Sequence, residues 1–139
     1  MSVDADVASI LPEGLHGFHV HTFGTLDTGC GGAGGHYNPT GVDHASWDVT
    51  PRHVGDLQQL LVEAGTDTAT LSYNDPFAGL FGDNTIVGRA IVVHQGEDDL
   101  GLTDEDCSKA NGCAGARIGC GVIVAADTTT SFADAYFNQ

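Results

Sequence analysis

Short segments in which apolar and polar residues alternate are spread along the whole chain, a pattern typical of β-strands. The segment at residues 14–22 places His19 and His21 on one face, because side chains alternate with a period of two. No stretch combines a helical period with caps. The clearest predicted strands are residues 3–10, 14–22, 85–94 and 116–124. Residues 57–62 and 68–73 are weaker strand candidates.

Two long loops separate these strands, at about residues 24–53 and 95–115. Loops of this length in a compact domain are usually functional, and both contain candidate metal ligands. An all-β chain with long crossovers indicates a Greek-key β-sandwich or flattened barrel. We expect one domain over residues 1–126, followed by a C-terminal tail at 127–139.

The charge balance excludes several classes of partner. The 139 residues carry a formal net charge of −15, with only four lysines and arginines. Nucleic acid is therefore not an expected partner, because phosphates are bound by basic patches. No apolar run reaches 18 residues, so no membrane span is expected. Residues 1–10 do not resemble a signal peptide, so the protein either stays in the cell or had its signal removed.

Seven histidines are many for a chain of this size. Imidazole suits copper and zinc, and one carboxylate among several imidazoles is ordinary zinc chemistry. Two four-coordinate sites could be filled if one imidazole, that of His36, bridges both metals. The candidate ligands are His19, His21, His36, His44, His53, Asp56 and His94.

Five segments carry a family resemblance. They are GLHGFHVHTFG at 14–24, GCGGAGGHYNP at 29–39, RHVGDL at 52–57, VGRAIVVH at 87–94 and GARIGCGVI at 115–123. In order and spacing they closely resemble the copper/zinc superoxide dismutases, over roughly residues 3–126. The resemblance implies dismutation of superoxide to oxygen and hydrogen peroxide by a redox-cycling copper beside a structural zinc.

The resemblance also implies a role for each site residue. The copper ligands would be His19, His21, His36 and His94. The zinc ligands would be His36, His44, His53 and Asp56. His36 would also carry a proton in catalysis, and Arg117 would dock the superoxide anion. Asp98 would hydrogen-bond His19 and His44, and His16 would support the site from behind.

The four cysteines allow three pairings into two disulfides. The resemblance implies Cys30–Cys120, which would tie the first long loop to the last strand. We also predict Cys107–Cys113, which closes a short loop. Paired structural cysteines favour an oxidising compartment, so a secreted protein is slightly favoured over a cytoplasmic one.

Two departures from the family pattern bear on assembly and function. Family members carry a two-strand hairpin before the segment that resembles residues 3–10, and this sequence begins near the third strand. Open strand edges would result, and we expect a homodimer to cover them. The loop at 95–115 contains a single lysine, Lys109. Because this loop has so few cations, an alternative function is that of an extracellular metal-binding or storage protein on the same fold. The unpaired strand edges suggest a second alternative, an assembly module of a larger protein.

Overall fold

The computed structural model describes residues 1–8, 11–66 and 68–126. The tail at 127–139 and the end of the segment predicted at 3–10 lie outside the described residues. The strands are β1 (Ser2–Ala8), β2 (Gly14–His16), β3 (Phe18–His21), β4 (Asp27–Cys30), β5 (Leu60–Val62), β6 (Thr68–Asn74), β7 (Ala90–His94) and β8 (Arg117–Val122). A 3-10 turn at Gly31–Ala33 and one helix, α1 (Asp106–Asn111), complete the elements of the described part.

Two antiparallel sheets form the sandwich. One has the order β1-β6-β5-β2 and the other has the order β3-β7-β8. The expected all-β sandwich is confirmed, and the described strands do not close into a barrel. β1 pairs only with β6, and β8 pairs only with β7, so each leaves one edge without a strand partner in the described part of the chain.

The chain passes from the first sheet to the second at Gly17, between β2 and β3. The Gly17 amide donates to Gly96 O at 2.9 Å, and a Cβ at Gly17 would lie 2.7 Å from the Ala114 side chain. This close approach explains why the strand predicted at 14–22 is two strands. β3 is thereby paired with β7, and both His19 and His21 are buried.

Other expectations were wrong in detail, and β4 lies within the segment predicted as a loop at 24–53. The strand predicted at 85–94 begins at Ala90, because Gly88 has φ 82° and Arg89 N donates to Ile86 O in a turn. Helix α1 was not expected at all. It has six residues, of which only Ser108 is buried, so its sequence carries no apolar period.

The apolar core lies between the sheets. Its fully buried members include Val20 of β3 and Leu60 of β5, with Val93 of β7 almost fully buried. No helix of the described residues is long and apolar enough to cross a membrane.

Candidate metal centre

The candidate ligands come together beside β3. The loop after β4 returns along this strand. Tyr37 N donates to Val20 O at 2.8 Å, and the backbone of His36 pairs with that of His21 in an isolated antiparallel β-bridge. On the same strand, Val20 N donates to Gly55 O at 2.9 Å. Gly55 also donates to Tyr37 O, and a Cβ at this position would overlap the carbonyl oxygen of Val20. Only glycine allows this approach, which sets the positions of the neighbouring candidate ligands.

The first cluster contains four buried histidines whose ligand atoms all lie within 4.8 Å of one another. They are His19, His21, His36 and His94. The Nδ1 atoms of His21 and His94 donate to the carbonyls of Gly34 and Gly115, at 2.8 and 3.1 Å. Each Nε2 therefore keeps its lone pair, and the two Nε2 atoms lie 3.4 Å apart.

The second cluster contains three histidines around one carboxylate. It comprises His36, His44, His53 and Asp56. The Nδ1 atoms of the three histidines lie 2.9, 2.9 and 3.1 Å from Asp56 Oδ1. His53 Nε2 donates to Val42 O at 2.9 Å, which leaves its Nδ1 directed at the cluster. Three imidazoles and one carboxylate form a donor set that zinc accepts.

Asp98 connects the two clusters. Its carboxylate accepts from His19 Nε2 at 2.6 Å and from His44 Nε2 at 2.8 Å. Its own backbone is held by the side-chain amide of Gln59, through bonds of 2.7 and 3.1 Å. The structure thus places Asp98 between the two histidines. Gln59 was missed, because no feature of the sequence marks it.

In the described part of the chain, the buried ring nitrogens His19 Nδ1 and His36 Nε2 have no hydrogen-bond partner, and His44 Nδ1 has only its 2.9 Å contact with Asp56 Oδ1. Buried polar atoms without partners are rare in folded proteins. All three belong to the two clusters, and His36 contributes Nε2 to the first cluster while its Nδ1 faces Asp56. The donor set therefore fits two metal ions that share the imidazole of His36.

Burial sets the charge of most of these histidines. It lowers the pKa of His21 to about 2 and that of His36 to about 3. It also lowers the pKa values of His19 and His94. Neutral imidazole is the form that binds metal, so the first cluster is ready to do so at neutral pH.

His44 differs from these histidines because two carboxylates contact it. Burial opposes its charge, but hydrogen bonds to Asp56 and Asp98 raise its pKa to about 9. Burial likewise opposes the charge of Asp56, and bonds from His36, His44 and His53 outweigh it, so the pKa of Asp56 falls well below its usual range.

Arg117 lies at the start of β8, opposite His94 of β7. Its two Nη atoms donate to Cys30 O and Gly34 O, each at 2.7 Å. Gly34 O also accepts from His21, so the guanidinium lies beside the first cluster. The side chain of Arg117 is partly exposed, so small anions can reach its guanidinium from solvent.

His16 is buried behind the first cluster, where its ring nitrogens contact His94 O and Pro12 O, each at 2.9 Å. The disulfides Cys30–Cys120 and Cys107–Cys113 are both present. Sequence reasoning missed the buried pair of Arg52 and Asp75, whose 2.7 Å contact anchors the loop of the second cluster.

Comparison with known proteins decides the family. The family profile described as copper/zinc superoxide dismutase matches residues 1–123. The chain belongs to this family. Superoxide dismutase (Cu-Zn) 5 of Dictyostelium discoideum is 48% identical over 118 residues, which cover 84% of this chain and 76% of that protein. Superoxide dismutase (Cu-Zn) 4 of the same organism is 45% identical over 113 residues, covering 81% of this chain and 74% of that protein.

A relative named as extracellular is similar too. The extracellular superoxide dismutase (Cu-Zn) of Drosophila melanogaster is 50% identical over 113 residues, or 81% of this chain and 62% of that protein. Membership of the copper/zinc superoxide dismutase family makes this chain an oxidoreductase that dismutates superoxide, with copper and zinc as cofactors. The storage and assembly alternatives are not favoured.

Proposed function

We propose that the first cluster holds the copper and the second holds the zinc, with His36 shared between them. The observation that supports this most directly is the two-sided environment of His36: Nδ1 lies 2.9 Å from Asp56, while Nε2 is buried without a partner. Copper would be held by His19 through Nδ1 and by His21, His36 and His94 through Nε2. The zinc ligands are Asp56 and the Nδ1 atoms of His36, His44 and His53.

The overall reaction converts two superoxide anions and two protons to oxygen and hydrogen peroxide. When bound, copper supplies the one-electron exchange in both directions that this reaction needs, and zinc, which is not redox-active, supplies charge and position. The remaining tasks are to dock a small anion, to deliver protons and to keep the ligands oriented. These tasks fall to side chains of this chain.

Arg117 docks the anion. Two of its N–H groups are held by the carbonyls of Cys30 and Gly34, which fixes the guanidinium while other N–H groups remain for the substrate. Because Cys30 is tied by its disulfide to Cys120 in the same strand as Arg117, the docking cation and its support are held together covalently.

His36 would hold a proton at Nε2 whenever that nitrogen is not bound to copper. Its Nδ1 stays beside Asp56, so the ring keeps its position whether or not Nε2 is protonated. Burial makes the protonated ring unfavourable, and a proton placed there is therefore readily released to the reduced oxygen species.

Metal analysis of matched variants tests this assignment. His21→Ala should lose copper and keep zinc, because His21 contacts only the first cluster. Asp56→Ala should release zinc first and copper only secondarily. His36→Ala should lower the content of both metals. Full zinc content in Asp56→Ala, or unaltered copper in His21→Ala, would contradict the ligand sets.

We also propose that the protein is a homodimer. Exposed apolar side chains gather where β8 ends: Phe23 is 55% exposed, Val122 is 42% exposed and Val124 is 69% exposed. Gly24 packs against Gly88 and Val122, which brings these segments together. Exposed apolar side chains of this kind, beside the free edge of β8, suit a two-fold contact with a second copy.

Sedimentation velocity at micromolar concentration tests the dimer. Wild type should sediment as a dimer, and Val124→Glu should shift it to the monomer. Leu102→Glu, at a position that is 79% exposed in the other long loop, is the matched control and should leave the dimer intact. A wild-type monomer at these concentrations would refute the dimer without touching the metal assignment.

A further inference from the structure

The disulfide Cys107–Cys113 encloses the end of helix α1. Cys107 lies in the first turn of the helix, and Cys113 follows Gly112, the residue that caps its C-terminus. The loop that contains this helix passes behind Asp98, the carboxylate that joins the two metal clusters.

Backbone contacts connect α1 to both sides of the zinc cluster. Lys109 O accepts from the backbone amide of His44 at 2.8 Å. Gly112 O accepts from the amide of Asp99, the neighbour of Asp98, also at 2.8 Å. A displacement of α1 would therefore move a zinc ligand and the residue next to the connecting carboxylate together.

Gly112 forms the wall behind the bond from His44 to Asp98. It is buried with φ 71°, a left-handed conformation that favours glycine. A Cβ at this position would overlap Asp98 Oδ1 and would lie 2.8 Å from His44 Nε2. The end of the helix thus confines the Asp98 carboxylate to the position from which it holds His19 and His44.

Helix α1 has little else to keep it there. It is six residues long, too short to be stable by itself, and Ser108 is its only buried residue. Its side chains make three hydrogen bonds to the preceding loop: Ser108 Oγ donates to Asp99 at 2.9 Å and accepts from Thr103 N at 3.2 Å, and Lys109 donates to Gly101 O at 2.7 Å. Because apolar packing is absent from this helix, the covalent link is its strongest constraint.

We propose that the Cys107–Cys113 disulfide braces α1 against Asp98 and so positions His19 and His44 for their metals. Zinc retention then depends on the oxidation state of this one disulfide. The proposal rests on the ligand sets given above. It makes Cys107, Cys113 and Gly112 positioning residues, which contact no metal and act through Asp98.

The disulfide is within reach of reductants. Cys107 is exposed and Cys113 is partly buried, whereas Cys120 of the other disulfide is only 6% exposed. Two molecules of a small thiol supply two electrons and two protons. The Cys107–Cys113 bond breaks, both cysteines become thiols, and the reductant leaves as its own disulfide. Reduction of Cys107–Cys113 would loosen α1, while the intact Cys30–Cys120 disulfide would still fix the segments beside the first cluster.

The test compares Cys107→Ala/Cys113→Ala with the control Asn111→Ala, an exposed position on the same helix. Two quantities are measured: the rate of zinc release from the fully metallated protein to a chromogenic chelator, and the visible spectrum of cobalt(II) bound at saturation in place of zinc. The double variant should release zinc about 10–100-fold faster, the usual cost of disturbing a residue that orients a metal ligand, with a shifted cobalt spectrum. The control should stay within about twofold of wild type.

Gly112→Ala tests the route of the effect, because it leaves the disulfide in place and displaces Asp98 directly. It should reproduce the faster release and the shifted spectrum. Should the double variant fail to fold, wild type reduced by a phosphine, with mass spectrometry confirming that Cys30–Cys120 is intact, serves for the same two measurements.

Two outcomes would overturn the proposal. One is zinc release within twofold of wild type after loss of the disulfide. The other is faster release with an unchanged cobalt spectrum, which would indicate a general loss of stability rather than a changed ligand position. A wild-type protein that binds no zinc would instead refute the ligand sets, so the two failures are distinguishable.

Discussion

The buried ion pair of Arg52 and Asp75 supports the segment that contains His53 and Asp56 of the second cluster. Arg52 Nη2 donates to Asp75 Oδ2 at 2.7 Å, and Nη1 donates to the carbonyls of His53 and Asp56 at 2.9 and 2.8 Å. The other oxygen of Asp75 accepts from two backbone amides of the following turn, each at 2.8 Å. We predict that Asp75→Ala destabilises the metal-free protein strongly.

The size of the effect follows from what the variant leaves behind. Arg52 is only 4% exposed, and without Asp75 its charge would be buried without a partner. Removing one member of a buried ion pair typically costs about 3–5 kcal/mol. That is a large part of a typical total stability of about 5–15 kcal/mol. Asp75→Asn keeps the shape and one acceptor, so its cost should be smaller, about 1–3 kcal/mol.

Urea unfolding of metal-free protein measures these differences without the contribution of bound metal. Asp104→Ala, at an exposed position of the other long loop, is the control and should cost less than about 0.5 kcal/mol. The double variant Arg52→Met/Asp75→Leu replaces the charges by apolar groups and should cost less than Asp75→Ala alone. A cost below about 1 kcal/mol for Asp75→Ala would refute the view that Arg52 depends on this partner.

Three further predictions concern the site itself. His94→Ala should abolish dismutation, since the copper cluster loses one of four imidazoles, and near-full activity with copper bound would contradict this. Arg117→Glu should slow turnover strongly, and Arg117→Ala should slow it more mildly. A charge-assisted hydrogen bond to the anion contributes about 1–3 kcal/mol, which corresponds to roughly 5–150-fold in rate. Equal rates for wild type and Arg117→Glu in steady-state assays would remove Arg117 from the mechanism. Metal-free protein should lose stability as the pH falls below about 6.5, because the pKa values of His21 and His36 are lowered to about 2 and about 3 by folding. The opposite shift of His44, to about 9, should cost stability above pH 6.5, so urea midpoints should peak near that pH and a flat profile would be evidence against both shifts.

Part of the site could be predicted from local rules, because two of its ligands lie on one strand. His19 and His21 share a strand, and a period of two places both at the cluster. His94 ends β7, and the other ligands lie between β4 and β5, where no local rule fixes the distances between them. Their convergence was predictable only through the family resemblance of whole segments such as RHVGDL.

Apart from the roles of Asp98 and His16, the supporting contacts could not be predicted, because they depend on tertiary geometry. Arg52 and Asp75 are 23 residues apart, and nothing in either segment marks the pair. Helix α1 buries a single serine, so it lacks the periodic apolar signal from which helices are predicted. Gly112 is one of 20 glycines, and nothing in the sequence distinguishes it from the others, because its role depends on its contact with Asp98.

The electrostatics of the whole chain lead to a last prediction. The substrate is an anion and the net charge is −15, so the long-range field is repulsive. The four basic side chains do little to change this: Arg52 is paired with Asp75, Lys109 donates to Gly101 O, and Arg89 lies 3.5 Å over the Tyr37 ring. Only Arg117 lies beside the copper cluster, and its attraction acts at short range. Salt screens distant charges first, with a Debye length of about 10 Å at 0.1 M. Added sodium chloride should therefore raise kcat/KM between about 10 and 100 mM, opposite to the fall expected of an attractively steered enzyme. A monotonic decrease over that range would show that attraction near the site outweighs the repulsion of the surface.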